Sequence, residues 1–78
     1  MNWNAKNVLV VGLGLSGWSA VRYLSQQGAQ VSVCDSREQP PFAAALAERF
    51  PQMNCHCGAL NLALLDGVDA LVISPGLD

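Results

Sequence analysis

Residues 8–17 read Val8-Leu9-Val10-Val11-Gly12-Leu13-Gly14-Leu15-Ser16-Gly17, and residues 31–35 read Val31-Ser32-Val33-Cys34-Asp35. A continuous Val/Leu run is the pattern of a parallel strand buried on both faces. It leads straight into Gly12-x-Gly14-x-x-Gly17, and then into a run whose apolar residues Trp18, Val21 and Leu24 recur at helical spacing. The second apolar run closes on an acid, Asp35, 18 residues after Gly17. Strand, glycine turn, helix, strand and terminal acid in this order are the sequence form of a nucleotide-binding βαβ unit.

Each glycine in that form has its own task. Gly12 lets the chain leave the strand in a tight turn, Gly14 lets a pyrophosphate approach the backbone, and Gly17 lets the helix pack closely on the strands. The first N–H groups of the helix lack helical partners and carry partial positive charge, so they attract an anion without a basic side chain. Ser16 is expected to cap this helix and to offer its hydroxyl to a phosphate oxygen. Asp35 is expected to hold ribose hydroxyls; the plainer alternative is a solvated carboxylate at a strand end. Arg37 is expected either to lie over a nucleobase, as guanidinium groups do, or to be a loose loop charge.

Outward from this core, the first strand is expected over Asn7–Val11, the turn over Gly12–Gly17 and a helix over Ser16–Gln27, stopped by Gly28. A second strand follows at Ala29–Asp35, a proline-bearing loop at Arg37–Pro41 and a short helix at Phe42–Phe50. Met53–Cys57 reads as a third strand, Asn61–Leu65 as a helical turn and Asp69–Ile73 as a fourth strand. Alternating β and α segments imply right-handed crossovers and a parallel sheet. The fold class is therefore α/β: a Rossmann-like three-layer sandwich on a four-stranded parallel sheet of order 3-2-1-4, truncated after strand four. Both helices should cover one face. The short crossover between strands three and four should cover the other incompletely, leaving an apolar patch near strands one and four that invites self-association. Ser74-Pro75-Gly76 should sit at the carboxyl end of the sheet, beside the glycine turn. There Pro75 stiffens a turn and Gly76 leaves room for a ligand, or the three form an ordinary strand-ending turn.

The 78 residues suffice for one small domain, expected to be the first part of a longer protein. With a net charge of −2 and only Lys6, Arg22, Arg37 and Arg49 positive, no basic patch forms for nucleic acid. No apolar run reaches the ~18 residues of a membrane span. The three cysteines, Cys34, Cys55 and Cys57, lack framework spacing, as expected in a reducing, cytoplasmic setting. Cys55-His56-Cys57 resembles a metal ligand run, but on a strand His56 points away from the two thiols. The thiols are expected to pack in the core instead. No Gly-x-x-x-x-Gly-Lys-Ser/Thr stretch occurs, so no P-loop is present. No nucleophile–base pair stands out either.

Three stretches together, Lys6–Gly17, Asp35-Ser36-Arg37 and Ser74-Pro75-Gly76, resemble the N-terminal domain of the Mur ligases, in their D-glutamate-adding branch. The resemblance spans the whole chain. It implies a domain 1–78 that binds the UDP part of UDP-N-acetylmuramoyl-L-alanine and has neither catalytic residue nor cofactor of its own. Gly14, Leu15, Ser16 and Gly17 match the loop at the phosphates, Asp35, Ser36 and Arg37 the positions around uracil, and Ser74, Pro75 and Gly76 the turn beside it. Ser16 stands where a threonine is common and keeps the hydroxyl. ATP, Mg2+ and D-glutamate are implied for further domains, where an acyl phosphate of the muramoyl-alanine carboxylate is attacked by the D-glutamate amino group. The alternative is a nicotinamide-dinucleotide domain of a dehydrogenase or a potassium-transport regulatory module, with the same glycine turn and strand-end acid. An interaction module resting on the apolar sheet face is a third, weaker reading.

Overall fold

The computed structural model describes residues 2–74. Four strands, β1 (Asn7–Val11), β2 (Gln30–Asp35), β3 (Cys55–Cys57) and β4 (Ala70–Ile73), form one parallel sheet of order β3-β2-β1-β4. The helices are α1 (Leu15–Gln26) and α2 (Ala43–Arg49), and a 3₁₀ turn, Leu62–Leu65, precedes β4. The expected order and element types are all present.

One face of the sheet carries the core. Val8 and Val10 of β1 and Val33 of β2 pack under Trp18, Val21 and Leu24 of α1 and Leu46 of α2. Trp18 stacks on Phe42 with ring centroids 6.1 Å apart and meets Phe50 edge-on at 6.0 Å. These rings bracket α2 at both ends and hold a seven-residue helix that is too short to be stable alone. At the far end of α1, Gly28 takes φ +85, and the N–H groups of Gly28 and Ala29 donate to the carbonyls of Ser25 and Leu24. This double bond pattern satisfies the last carbonyls and turns the chain toward β2.

The opposite face is thinly covered. Leu64 and Val68 line a cavity of about 470 Å³ with Leu9 and Ser32, so the 3₁₀ crossover supplies the third layer there. Leu71 and Ile73 remain 46% and 69% exposed, which matches the expected bare patch near β1 and β4.

The boundaries differ slightly from the sequence reading. Strand β3 begins at Cys55 because the Met53 N–H bonds to the Phe50 carbonyl and closes a turn after α2. Helix α2 is framed by Phe42 and Phe50, which act as its caps. The expectation that Cys55 and Cys57 lie in the core is overturned, since both are exposed. They share the helix-bearing face, being partnered with Val33 and Asp35, but α2 stops at Arg49 and leaves the outer strand uncovered. Only Cys34 is buried, and that burial, followed by the charge of Asp35, pushes its thiol pKa up.

Candidate nucleotide-phosphate site

The parallel register brings three strand ends to one level. Val11 is partnered with Cys34 on one side and Ile73 on the other. The Gly12 N–H then donates to the Cys34 carbonyl (2.8 Å) and the Ser74 N–H to the Val11 carbonyl (3.0 Å). Gly12, Asp35 and Ser74 thus stand side by side at the carboxyl edge. A ligand cleft in an open α/β sheet forms where crossovers leave in opposite directions, here between β1 and β4.

The glycines act as the spacing requires at two positions. Gly12 has φ +98, a conformation that L side chains rarely adopt. A Cβ on Gly17 would stand 1.8 Å from the Gly12 carbonyl oxygen, so the start of α1 lies directly on the turn. The N-cap of α1 is Gly14, and its carbonyl accepts from the Trp18 N–H at 2.9 Å. No side chain caps this end and its first turn holds no acid. The expected cap by Ser16 is therefore corrected. Because Gly14 takes the cap position, Ser16 lies inside the first turn, with its side chain exposed. Leu15 is exposed beside it at 63%.

Asp35 holds the site together. Its carboxylate is 3% exposed and accepts the Leu13 N–H at 2.8 Å, which ties the glycine turn to the end of β2. Oδ1 also accepts the Arg37 N–H and Nε at 2.8 and 2.9 Å, and Oδ2 accepts Nη2 at 2.7 Å. The Arg37 hydrogen bonds outweigh burial, and with the two backbone donors they hold this carboxyl well below the usual carboxylate range. Arg37 is therefore drawn back onto Asp35 rather than loose in solvent.

Asp35, Ser36, Arg37 and Ser74 line one cleft of about 340 Å³ with Gly12, Val11, Leu60 and Ile73. The sequence reading named the first four. It missed Leu60 and Ile73, which form the cleft's apolar wall, and the Leu13 N–H that latches Asp35. Ile73 was traceable as the residue before Ser74; Leu60 lies in a loop with no pattern. Gly14, Leu15, Ser16 and Gly17 lie at the start of α1, reached from the cleft through Gly12, and do not line the cleft itself. Pro75 and Gly76 lie outside the described residues. The larger cavity under Leu9 and Ser32 contains no residue of the glycine turn or the strand-end acid.

The geometry thus offers main-chain donors beside a half-polar cleft. Residues 6–78 match the family model of the Mur ligase MurD-like N-terminal domain. The chain belongs to this family. It is 50% identical to a UDP-N-acetylmuramoylalanine–D-glutamate ligase of Thiobacillus denitrificans over 99% of its own length and 17% of the relative's. The same-named proteins of Nitrosomonas europaea and Pseudomonas syringae pv. syringae are 43% and 48% identical, over 99% and 88% of this chain and 16% and 15% of theirs. The chain thus spans about a sixth of the length of the curated relatives it matches.

The family match favours the ligase family over the dehydrogenase and potassium-transport alternatives. The sequence has no P-loop lysine, and among the described residues no group of three His, Cys, Asp or Glu side chains is placed to hold a metal ion. No helix among them is long and apolar enough to cross a membrane.

Proposed function

We propose that residues 1–78 form a domain that binds the UDP part of UDP-N-acetylmuramoyl-L-alanine for an ATP-dependent ligase that joins it to D-glutamate in peptidoglycan synthesis. The observation that carries this reading is the uncapped, acid-free start of α1, held by the Asp35–Leu13 bond beside the cleft of Ser36, Arg37 and Ser74. In this reading the diphosphate lies against the N–H groups of Leu15, Ser16 and Gly17, with Gly14 giving it close access and the Ser16 hydroxyl as a further donor. The uracil enters the cleft near Asp35, Ser36 and Arg37, and Ser74, Pro75 and Gly76 close its far side. Arg37 supplies a flat cation, and Leu60 and Ile73 supply apolar contact.

The chain contributes binding and orientation and no catalytic group. Phosphorylation of the muramoyl-alanine carboxylate by ATP with Mg2+, and attack by the D-glutamate amino group, belong to the remaining length of the relatives. A cytoplasmic location accords with these soluble substrates.

The test is thermal unfolding of the chain with UDP, UDP-N-acetylmuramoyl-L-alanine, NAD and NADP. The uridine ligands should raise the midpoint, with affinity on the order of millimolar or weaker because one small cleft must offset the whole cost of association. Stabilisation by NAD alone would reverse the assignment. Ser16→Asp, at an exposed residue of the first turn of α1, should keep the fold and lose the uridine response.

A further inference from the structure

The outer strand β3 carries a feature that nucleotide binding does not use. The sulfurs of Cys55 and Cys57 lie 3.6 Å apart in hydrogen-bonding contact, and both residues are exposed. His56, between them, faces the other way, and its Nε2–H donates to the Ala59 carbonyl at 2.7 Å, so it does not join the thiols. Cys34 is buried in β2. Two accessible thiols therefore stand alone, already in contact, on one face of an edge strand.

We propose that Cys55 and Cys57 are a modification site: a dithiol that closes reversibly to an internal disulfide on exchange with a small-molecule disulfide such as oxidised glutathione. Strand geometry sets the terms. Two residues apart on a strand, the Cα atoms are separated by roughly 6.6 Å, near the upper end of the span of about 4.4–6.8 Å that disulfides tolerate. The bond can form, but under strain, and strained exposed disulfides are the readily reduced kind. Strand β3 is suited to absorb the change, because it has three residues and pairs with β2 alone.

The exchange proceeds in two steps. Partial burial of its sulfur, then the hydrogen bond with Cys57, pushes the Cys55 thiol up to about 12. In one order, Cys57 attacks first, its thiol proton leaving to solvent. It forms a bond to one glutathione sulfur while the glutathione S–S bond breaks and one glutathione thiolate leaves. Cys55 then gives up its proton to that thiolate and attacks the Cys57 sulfur, expelling the second glutathione. Two protein thiols are oxidised, one glutathione disulfide is reduced to two thiols, and the two protons end on the glutathiones.

Closure would be felt at the cleft. Cys57 is the register partner of Asp35, and the Gly58 N–H donates to the Asp35 carbonyl at 2.9 Å.

The test is mass spectrometry of the folded chain, equilibrated in a series of glutathione redox buffers, acid-quenched and peptide-mapped. The expected result is a species lighter by two hydrogens, with the bond mapped between Cys55 and Cys57 and fully reversed by excess reduced glutathione. Cys55→Ser and Cys57→Ser should each abolish it. Independent glutathione adducts on both residues of the unsubstituted chain, or a bridge that includes Cys34, would overturn the proposal.

Discussion

The inner and outer halves of this sheet are built to different standards. In β1 and β2, Val8, Val10 and Val33 are all at least 98% buried under α1, and Cys34 is as deeply buried on the other face. In β3 and β4, Cys55, Cys57, Leu71 and Ile73 are exposed, and a 3₁₀ turn covers part of the far face. The backbone pairing is continuous across both halves; the difference lies in side-chain cover. Stability is thus concentrated where β1 meets α1, and the proposed phosphate site is the carboxyl end of that same pair. The outer strands contribute walls to the cleft and are left free to change.

The largest expected contrast is between two glycines. Gly17→Ala puts a methyl 1.8 Å from the Gly12 carbonyl, which is backbone and cannot yield. It should cost about 4 kcal/mol or more and leave the chain largely unfolded by circular dichroism. Gly67, in the outer half, has φ +73 and nothing within 4 Å of an added Cβ, so Gly67→Ala should cost only about 1 kcal/mol. Equal losses would break the comparison.

Core truncation should show the same division at smaller scale. Leu13, fully buried, should lose about 3 kcal/mol on change to Ala. Leu62, 82% exposed, should change by less than about 0.5 kcal/mol. Urea midpoints of the two variants measure both.

Asp35→Ala leaves the Leu13 N–H without its buried acceptor and should cost about 2 kcal/mol at neutral pH. The sign with pH follows from the lowered carboxyl pKa. The carboxylate's stabilisation is present in full above the ordinary Asp value of about 3.9 and is lost as pH falls below it toward the folded value. The urea midpoints of the original chain and the variant should therefore approach each other on acidification below about pH 4. A gap independent of pH would show that the latch is not ionic.

The smallest effect concerns the bare face. Leu71, 46% exposed on β4, should support weak association of copies at high concentration, and Leu71→Lys should reduce the scattering mass. A monomer at all concentrations would remove that expectation.

Much of the inner half was legible because its signals are redundant. The run Val8–Val11, the glycine spacing and Asp35 each point to the same βαβ unit, and residues 6–78 match the family model. What escaped depended on local competition. Ser16 has the chemistry of a cap, but Gly14 reaches the cap position first. Asp35 has the chemistry to bind a ribose. Arg37, two residues on, and the Leu13 N–H already donate to its carboxylate, and no sequence pattern announces a main-chain donor. Cys55 and Cys57 were expected inside because thiols usually are. Their exposure follows from where α2 ends, a boundary fixed by the packing of Phe50 on Trp18.

The account's central claim is that the start of α1 and the cleft beside it receive a uridine diphosphate. An amide chemical-shift titration of the chain with UDP tests it most directly. The account predicts shifts concentrated at residues 12–17, 35–37 and 74–76, with none in the cavity under Leu9 and Ser32. Shifts confined to that cavity, or the same pattern produced by NAD and not by UDP, would contradict it.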